Sequence, residues 1–292
     1  MNAKAEAVTT RGVARVVRGM PTSDGAGVKL TRVIGQPQLQ DLDPFLMLDE
    51  FGTDKADDYI AGFPSHPHRG FETVTYMLDG RMRHKDNHGH EGVLVPGSVQ
   101  WMTAGRGIVH SEMPEQQEGR MRGFQLWINL PAKDKMTEPK YQEFGPEKIP
   151  VVEVGKGVSV KVIAGRVGDT VGPIAQPATE PTYLDVALEP GASFSHVLPF
   201  DHSAFLYVYE GSVRVGAGED AATVGTHQLA VLGNGADIRL EGREAPAGAH
   251  VSRAIIVAGK PLREPVAKYG PFVMNTRDEI IRAVEDFNAG KF

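Results

Sequence analysis

The 292-residue chain contains no cysteine. Disulfides and thiolate metal sites are excluded, so any metal it binds is held by nitrogen and oxygen ligands. A chain without thiols also carries no signature of a redox compartment. Long apolar runs are missing too. No stretch approaches the ~18 consecutive apolar residues of a membrane span, and Met1–Arg18 has no apolar run of signal-peptide length. A cytoplasmic protein with no membrane association is the expectation. Positive charge is in short supply: 31 Lys and Arg stand against 37 Asp and Glu, a formal net charge of -6. With no basic run either, this argues against direct nucleic-acid binding, which needs a clustered positive surface, and against a nuclear address.

What is abundant is punctuation. Glycine (34) and proline (20) recur without a repeat period, alongside 41% apolar and 23% charged residues. That composition suits many short strands joined by tight turns, an all-β fold, rather than a helix bundle. Val28–Ile34 alternates apolar and polar residues as a half-buried strand does. Asp43–Phe51 is an apolar run bounded by acids, and Glu72–Leu78 is β-branched and aromatic. Asp79-Gly80 reads as a hairpin turn and Pro96-Gly97 as another. About seven strands end near Leu130, the spacing of a barrel or sandwich. The polar stretch 134–150 reads as a linker between an N-terminal domain, 1–133, and a second strand-rich domain, 151–292. The first eleven residues are expected to fray. At the far end the period changes. Thr276 and Glu279 fit a capping box; Ile280, Ile281, Val284 and Phe287 recur at helical spacing, and Gly290 can stop the helix.

The stretch 62–114 holds the chemistry. His66-Pro67-His68 and His110-Ser111-Glu112 each place two ligand types at i and i+2. On a strand these share one face, so two such strands would gather three imidazoles and a carboxylate around a point. Imidazole and carboxylate suit Fe, Mn, Ni, Co, Cu or Zn, and four ligands leave room for water, substrate or O2. The bland alternative is hydrogen-bonded strand histidines. Glu72 is a rival ligand if the strand from His66 runs unbroken, although Gly70 could host a bulge; otherwise it orients a ligand from behind. His84, in a simple hairpin, would pair near Tyr76, ~25 Å from His68 at strand rise, so it and His88 read as solvated. His90 stays a candidate for a position behind the ligands. His196 and His202 lack a partner at i+2, and the second domain is expected to hold no metal.

Three segments carry a resemblance: Asp43–Phe51, His66-Pro67-His68-Arg69-Gly70-Phe71-Glu72-Thr73-Val74, and Gln100-Trp101-Met102-Thr103-Ala104-Gly105-Arg106-Gly107-Ile108-Val109-His110-Ser111-Glu112-Met113-Pro114. Gln125–Pro131 fits as well. The stretch 40–131 strongly resembles the pirin family of the cupin superfamily, with no departure at the ligand positions. The resemblance implies a bicupin, two antiparallel β-barrels (double-stranded β-helices) with a C-terminal α-helix. It implies His66, His68, His110 and Glu112 as ligands, most often of iron, and thus chooses Glu112 over Glu72. It implies one of two functions. The first is a quercetin 2,3-dioxygenase opening flavonols with O2, with Glu112 as proton acceptor; Phe63, Trp101 and Met102 are expected as apolar walls for a small aromatic substrate. The second is a non-catalytic regulator that binds a protein partner, transcriptional or metabolic.

Overall fold

A computed structural model of the protein describes residues 9–218, 221–243 and 250–292. Most of the segment expected to fray therefore lies outside the described residues. The chain is mostly strand, with a single α-helix, Arg277–Asn288, among the described residues. By contacts it forms two units. One comprises 19–149, 177–179 and 262–292; the other holds the described residues among 1–18, 150–176 and 180–261. Division along the chain and grouping by contact thus differ at both ends.

The unit that carries the histidine pairs has two large antiparallel sheets and a two-stranded one, Ala267–Tyr269 with Phe272–Met274. The larger has seven strands in the spatial order Lys140–Phe144, Val99–Thr103, Phe71–Asp79, Met121–Asn129, Phe45–Thr53, Val28–Ile34 and Met20–Asp24. The smaller has four, in the order Phe63–His68, Ile108–Pro114, Met82–Asp86 and Glu91–Leu94. Strands adjacent in sequence are often not neighbours in space. Asp79-Gly80 makes a turn with Gly80 at φ 83°, but Met82–Asp86 does not fold back onto Phe71–Asp79. It crosses to the smaller sheet and pairs with Ile108–Pro114. The stretch 134–150 is not merely a linker, because Lys140–Phe144 pairs with Val99–Thr103 as an edge strand. Its residues are exposed or half-buried, which is why the polar sequence hid a strand. Met20–Asp24 is likewise an edge strand, with no buried residue.

The tail of the chain completes this unit. Backbone N–H groups of Leu262 and Arg263 donate to the Asp43 carboxylate at 3.0 and 2.7 Å. The helix starts with the expected capping box: Thr276 N–H donates to Glu279 Oε2 at 2.8 Å, and Glu279 N–H to Thr276 Oγ1 at 3.3 Å. Its buried face is Ile280 and Ala283, packed with Phe272 and Met274. Ile281, expected in the apolar stripe, is 46% exposed, since a residue one position along is turned ~100° away.

The second unit repeats the plan with a seven-stranded sheet and a four-stranded sheet. Its core is aliphatic, built from Val160, Val162, Leu184, Val186, Leu206, Val208, Ala254 and Ile256 among others. Val13–Arg18 adds the edge strand of the larger sheet, paired with Gln228–Leu232.

Candidate metal centre

Local sequence explains how the smaller sheet presents its ligands. Pro64 and Pro67 keep Phe63–His68 extended. Ile108–Pro114 runs antiparallel beside it, with Ile108 opposite His68 and His110 opposite His66. Alternation then turns His66, His68, His110 and Glu112 to one side. Gly70 ends the first strand with φ 87°, a left-handed conformation that favours glycine. The next residues, Phe71 onward, belong to the other sheet.

Three imidazoles converge. Ligand nitrogens of His66, His68 and His110 all lie within 4.8 Å of one another, with ring centroids 4.5 to 5.0 Å apart. His66 Nδ1 sits 2.8 Å from the Pro64 carbonyl oxygen. A carbonyl only accepts, so Nδ1 carries the proton and Nε2 keeps a free lone pair. His68 Nδ1 and both ring nitrogens of His110 are buried without a hydrogen-bond partner. An orphaned buried polar atom costs ~1–3 kcal/mol, and a cation at the centre would take one nitrogen from each ring. Burial drives the His110 pKa down to about 4, opposed in part by Glu112 and helped by His66. Burial also holds His68 well below its ordinary value, with His110 and His66 adding to the effect. Neutral imidazoles are the protonation state a metal requires. The donor set therefore fits a divalent ion.

Glu112 is 2% exposed and lies beside this group without joining the tight triangle of nitrogens. Gln125 Nε2 donates to its Oε2 at 3.0 Å and its Oε1 at 3.3 Å. The Thr75 hydroxyl is 3.1 Å from Glu112 Oε1 and 2.9 Å from Gln125 Oε1. Having one proton, it donates to one of them at a time. A cavity of about 620 Å³ opens over the site, lined by His66, His68, Glu112, Gln125, Phe63, Met47 and Trp127 among others. The Trp127 ring stands edge-on to His68, centroids 5.3 Å apart, and packs on Phe71 at 4.4 Å.

The Pirin family model matches residues 27–128, and the model for the pirin C-terminal cupin domain matches residues 183–292. The chain belongs to the pirin family. It is 54% identical, over 96% of its length and 97% of the relative's, to a Pseudomonas aeruginosa protein whose name provisionally assigns it as a quercetin 2,3-dioxygenase. It is 54% identical to a pirin-like protein of Caulobacter vibrioides, covering 97% of this chain and 99% of that one. Among solved structures it resembles a quercetin 2,3-dioxygenase from Acinetobacter baumannii, with TM-score 0.87 and 33% identity over 97% of this chain and 99% of that one. The fold is the bicupin expected from the pirin motifs.

Within this pirin, strand parity sorts the remaining candidates. Thr75 pairs with Gln125 and Gln100, and Thr73 with Trp127 and Met102, so these side chains share one face of the larger sheet. Glu72 pairs with Thr103 and points the other way, where Thr103 Oγ1 donates to its Oε1 at 2.6 Å. The strand from His66 is broken at Gly70, so Glu72 has no place at the site. Trp101 pairs with Val74 and likewise faces away. Met102 has the right parity but packs on Ala104, Ile108 and Tyr141. Neither is among the residues that line the cavity; Phe63 is. His90 lies outside the triangle and donates its backbone N–H to Asp86 Oδ1 at 2.9 Å, with its ring Nδ1 2.9 Å from Oδ2. Asp86 in turn sits opposite His110 in register.

His84 corrects the hairpin reading. It is 4% exposed, not solvated, and sits opposite Glu112 on the neighbouring strand, its Nε2 2.7 Å from Glu143 Oε2. The ~25 Å separation assumed that Met82–Asp86 paired with the strand before it; the crossover between sheets removes that distance. Sequence reasoning missed Thr75, Gln125, Met47 and Trp127. Alternation offered a signal for two of them, since Gln125 and Trp127 are spaced i, i+2 as the ligand pairs are.

Proposed function

We propose that this pirin is a metal-dependent dioxygenase that opens flavonols such as quercetin with O2. The observation that carries the reading is the triangle of three imidazoles, with buried nitrogens of His68 and His110 unpartnered, beside a cavity of about 620 Å³ that His66 and His68 line. The names of the Pseudomonas and Acinetobacter relatives supply the substrate class. His66, His68 and His110 would hold the metal, with Glu112 as the oxygen donor that completes the set; iron is the first choice, ahead of Mn, Ni, Co, Cu and Zn. When bound, the metal supplies Lewis acidity that lowers the pKa of a chelating hydroxyl.

The chain's own residues do the rest. Phe63, Met47 and Trp127 give apolar surface to the faces of a flat ligand and hold it over the histidines. Glu112 takes the proton of the 3-hydroxyl at a carboxylate oxygen. Gln125 and Thr75 fix that carboxylate, so the proton acceptor is already aimed when substrate arrives. Substituting Glu112→Ala or His110→Ala abolishes oxygen consumption with quercetin. Full activity in either variant refutes the site.

A further inference from the structure

A second cavity of about 430 Å³ adjoins the first. Gly35, Gln40, Asp41, Leu46, Val266 and Lys268 contribute to its lining, together with Met47 and Trp127. Met47 and Trp127 also line the cavity over the histidines. The two are cross-strand neighbours in register on Phe45–Thr53 and Met121–Asn129. One pair of side chains therefore lines both chambers. Trp127 follows Gln125 by two residues, so the strand that holds the Glu112 carboxylate also carries a side chain that lines both chambers.

The second chamber differs in chemistry from the first. Its polar groups are the Lys268 ammonium, 3.7 Å from the Asp41 carboxylate, and the Gln40 amide. Lys268 and Asp41 are about one third and one half exposed, so their mutual attraction is weak and each keeps hydrogen-bonding capacity. A cation alone would select an anion. A cation beside a carboxylate and an amide offers donors and acceptors together, which matches neutral hydroxyl groups.

We propose that this chamber is a second subsite. It takes a hydroxyl-bearing ring of the same ligand whose chelating end lies over the histidines, with Trp127 and Met47 as the waist between them. The proposal rests on the flavonol reading and adds what selects among flavonols. Asp41 accepts from a ring hydroxyl and Lys268 donates to one. Lys268 and Asp41 are specificity-determining residues and take no part in metal binding.

The test compares two ligands under anaerobic conditions, where no turnover occurs. Quercetin carries hydroxyls on both of its outer rings; 3-hydroxyflavone keeps the chelating 3-hydroxyl and lacks all of them. Binding to the metal-loaded protein is followed by calorimetry and by tryptophan fluorescence, with Trp127→Phe identifying the signal of Trp127 against that of the buried Trp101. The wild type prefers quercetin by ~10-fold, the worth of a hydrogen bond to a charged group. Lys268→Met and Asp41→Asn each lose most of that preference while leaving the affinity for 3-hydroxyflavone and the metal content unchanged. Equal affinity for the two ligands in the wild type, or an undiminished preference in both variants, overturns the subsite and leaves the flavonol reading standing. If neither ligand binds, the flavonol reading falls and the subsite with it.

Discussion

Gly70→Ala probes how the histidine strand is joined to the larger sheet. Gly70 has φ 87°, and an alanine held there pays ~1–2 kcal/mol of backbone strain. A methyl group at this position would also overlap the Val273 carbonyl oxygen. Backbone cannot yield cheaply, so the strand Phe272–Met274 must shift. Val273 O accepts from the buried Lys135 Nζ at 3.0 Å, and the same ammonium holds Gly70 O at 2.7 Å and Asn129 Oδ1 at 2.6 Å. Losing one charge-assisted bond costs ~1.5–3 kcal/mol. Together the substitution costs about 3–5 kcal/mol, a large share of the ~5–15 kcal/mol by which a folded protein is stable. Gly89→Ala is the control. Its φ is 93° with nothing within 4 Å of the added carbon, so it pays only the conformational part. Urea unfolding of the metal-free variants gives both numbers, and metal titration reads the displacement of His68 two residues away. The reasoning is refuted if Gly70→Ala is no more destabilising than Gly89→Ala.

Three other outcomes follow from the same geometry. The metal-free protein loses stability on acidification: the folded His110 pKa, about 4, lies below the ordinary 6.5, so the unfolded chain binds the extra proton between these values. The His110 share is up to about 3 kcal/mol, fully present above pH 6.5 and lost towards pH 4; urea midpoints measured across that range, compared with His110→Gln, isolate it. Gln125→Leu removes the amide that anchors Glu112 and lowers kcat for quercetin by ~10-fold or more with metal content retained, which steady-state kinetics and elemental analysis read together. Lys135→Met strips three acceptors of their donor and destabilises the unit by about 2–4 kcal/mol, seen as a lowered thermal midpoint; an unchanged midpoint would mean that burying the charge costs as much as its bonds return.

Local rules made much of this protein legible in its sequence. Alternation marked Val28–Ile34, the Thr276/Glu279 pair marked the helix start, and two i, i+2 pairs marked the histidine triangle. These features depend on residues a few positions apart. What sequence could not supply was pairing between distant strands. His84 was set aside because Met82–Asp86 was assumed to fold back on its predecessor, and only the order of strands in the smaller sheet places it opposite Glu112. Trp101 and Trp127 are both aromatic residues on strands of one sheet, yet their opposite facing follows from register with Val74 and Thr73. The edge strand Lys140–Phe144 is polar because its residues are exposed or half-buried, so its composition matched that of a linker.

The most direct measurement combines metal stoichiometry with oxygen uptake on quercetin in one preparation, for the wild type and for His110→Ala. The account predicts one metal ion per chain and metal-dependent uptake in the wild type, and neither in the variant. Uptake that persists in the variant, or that is independent of metal content, would contradict it.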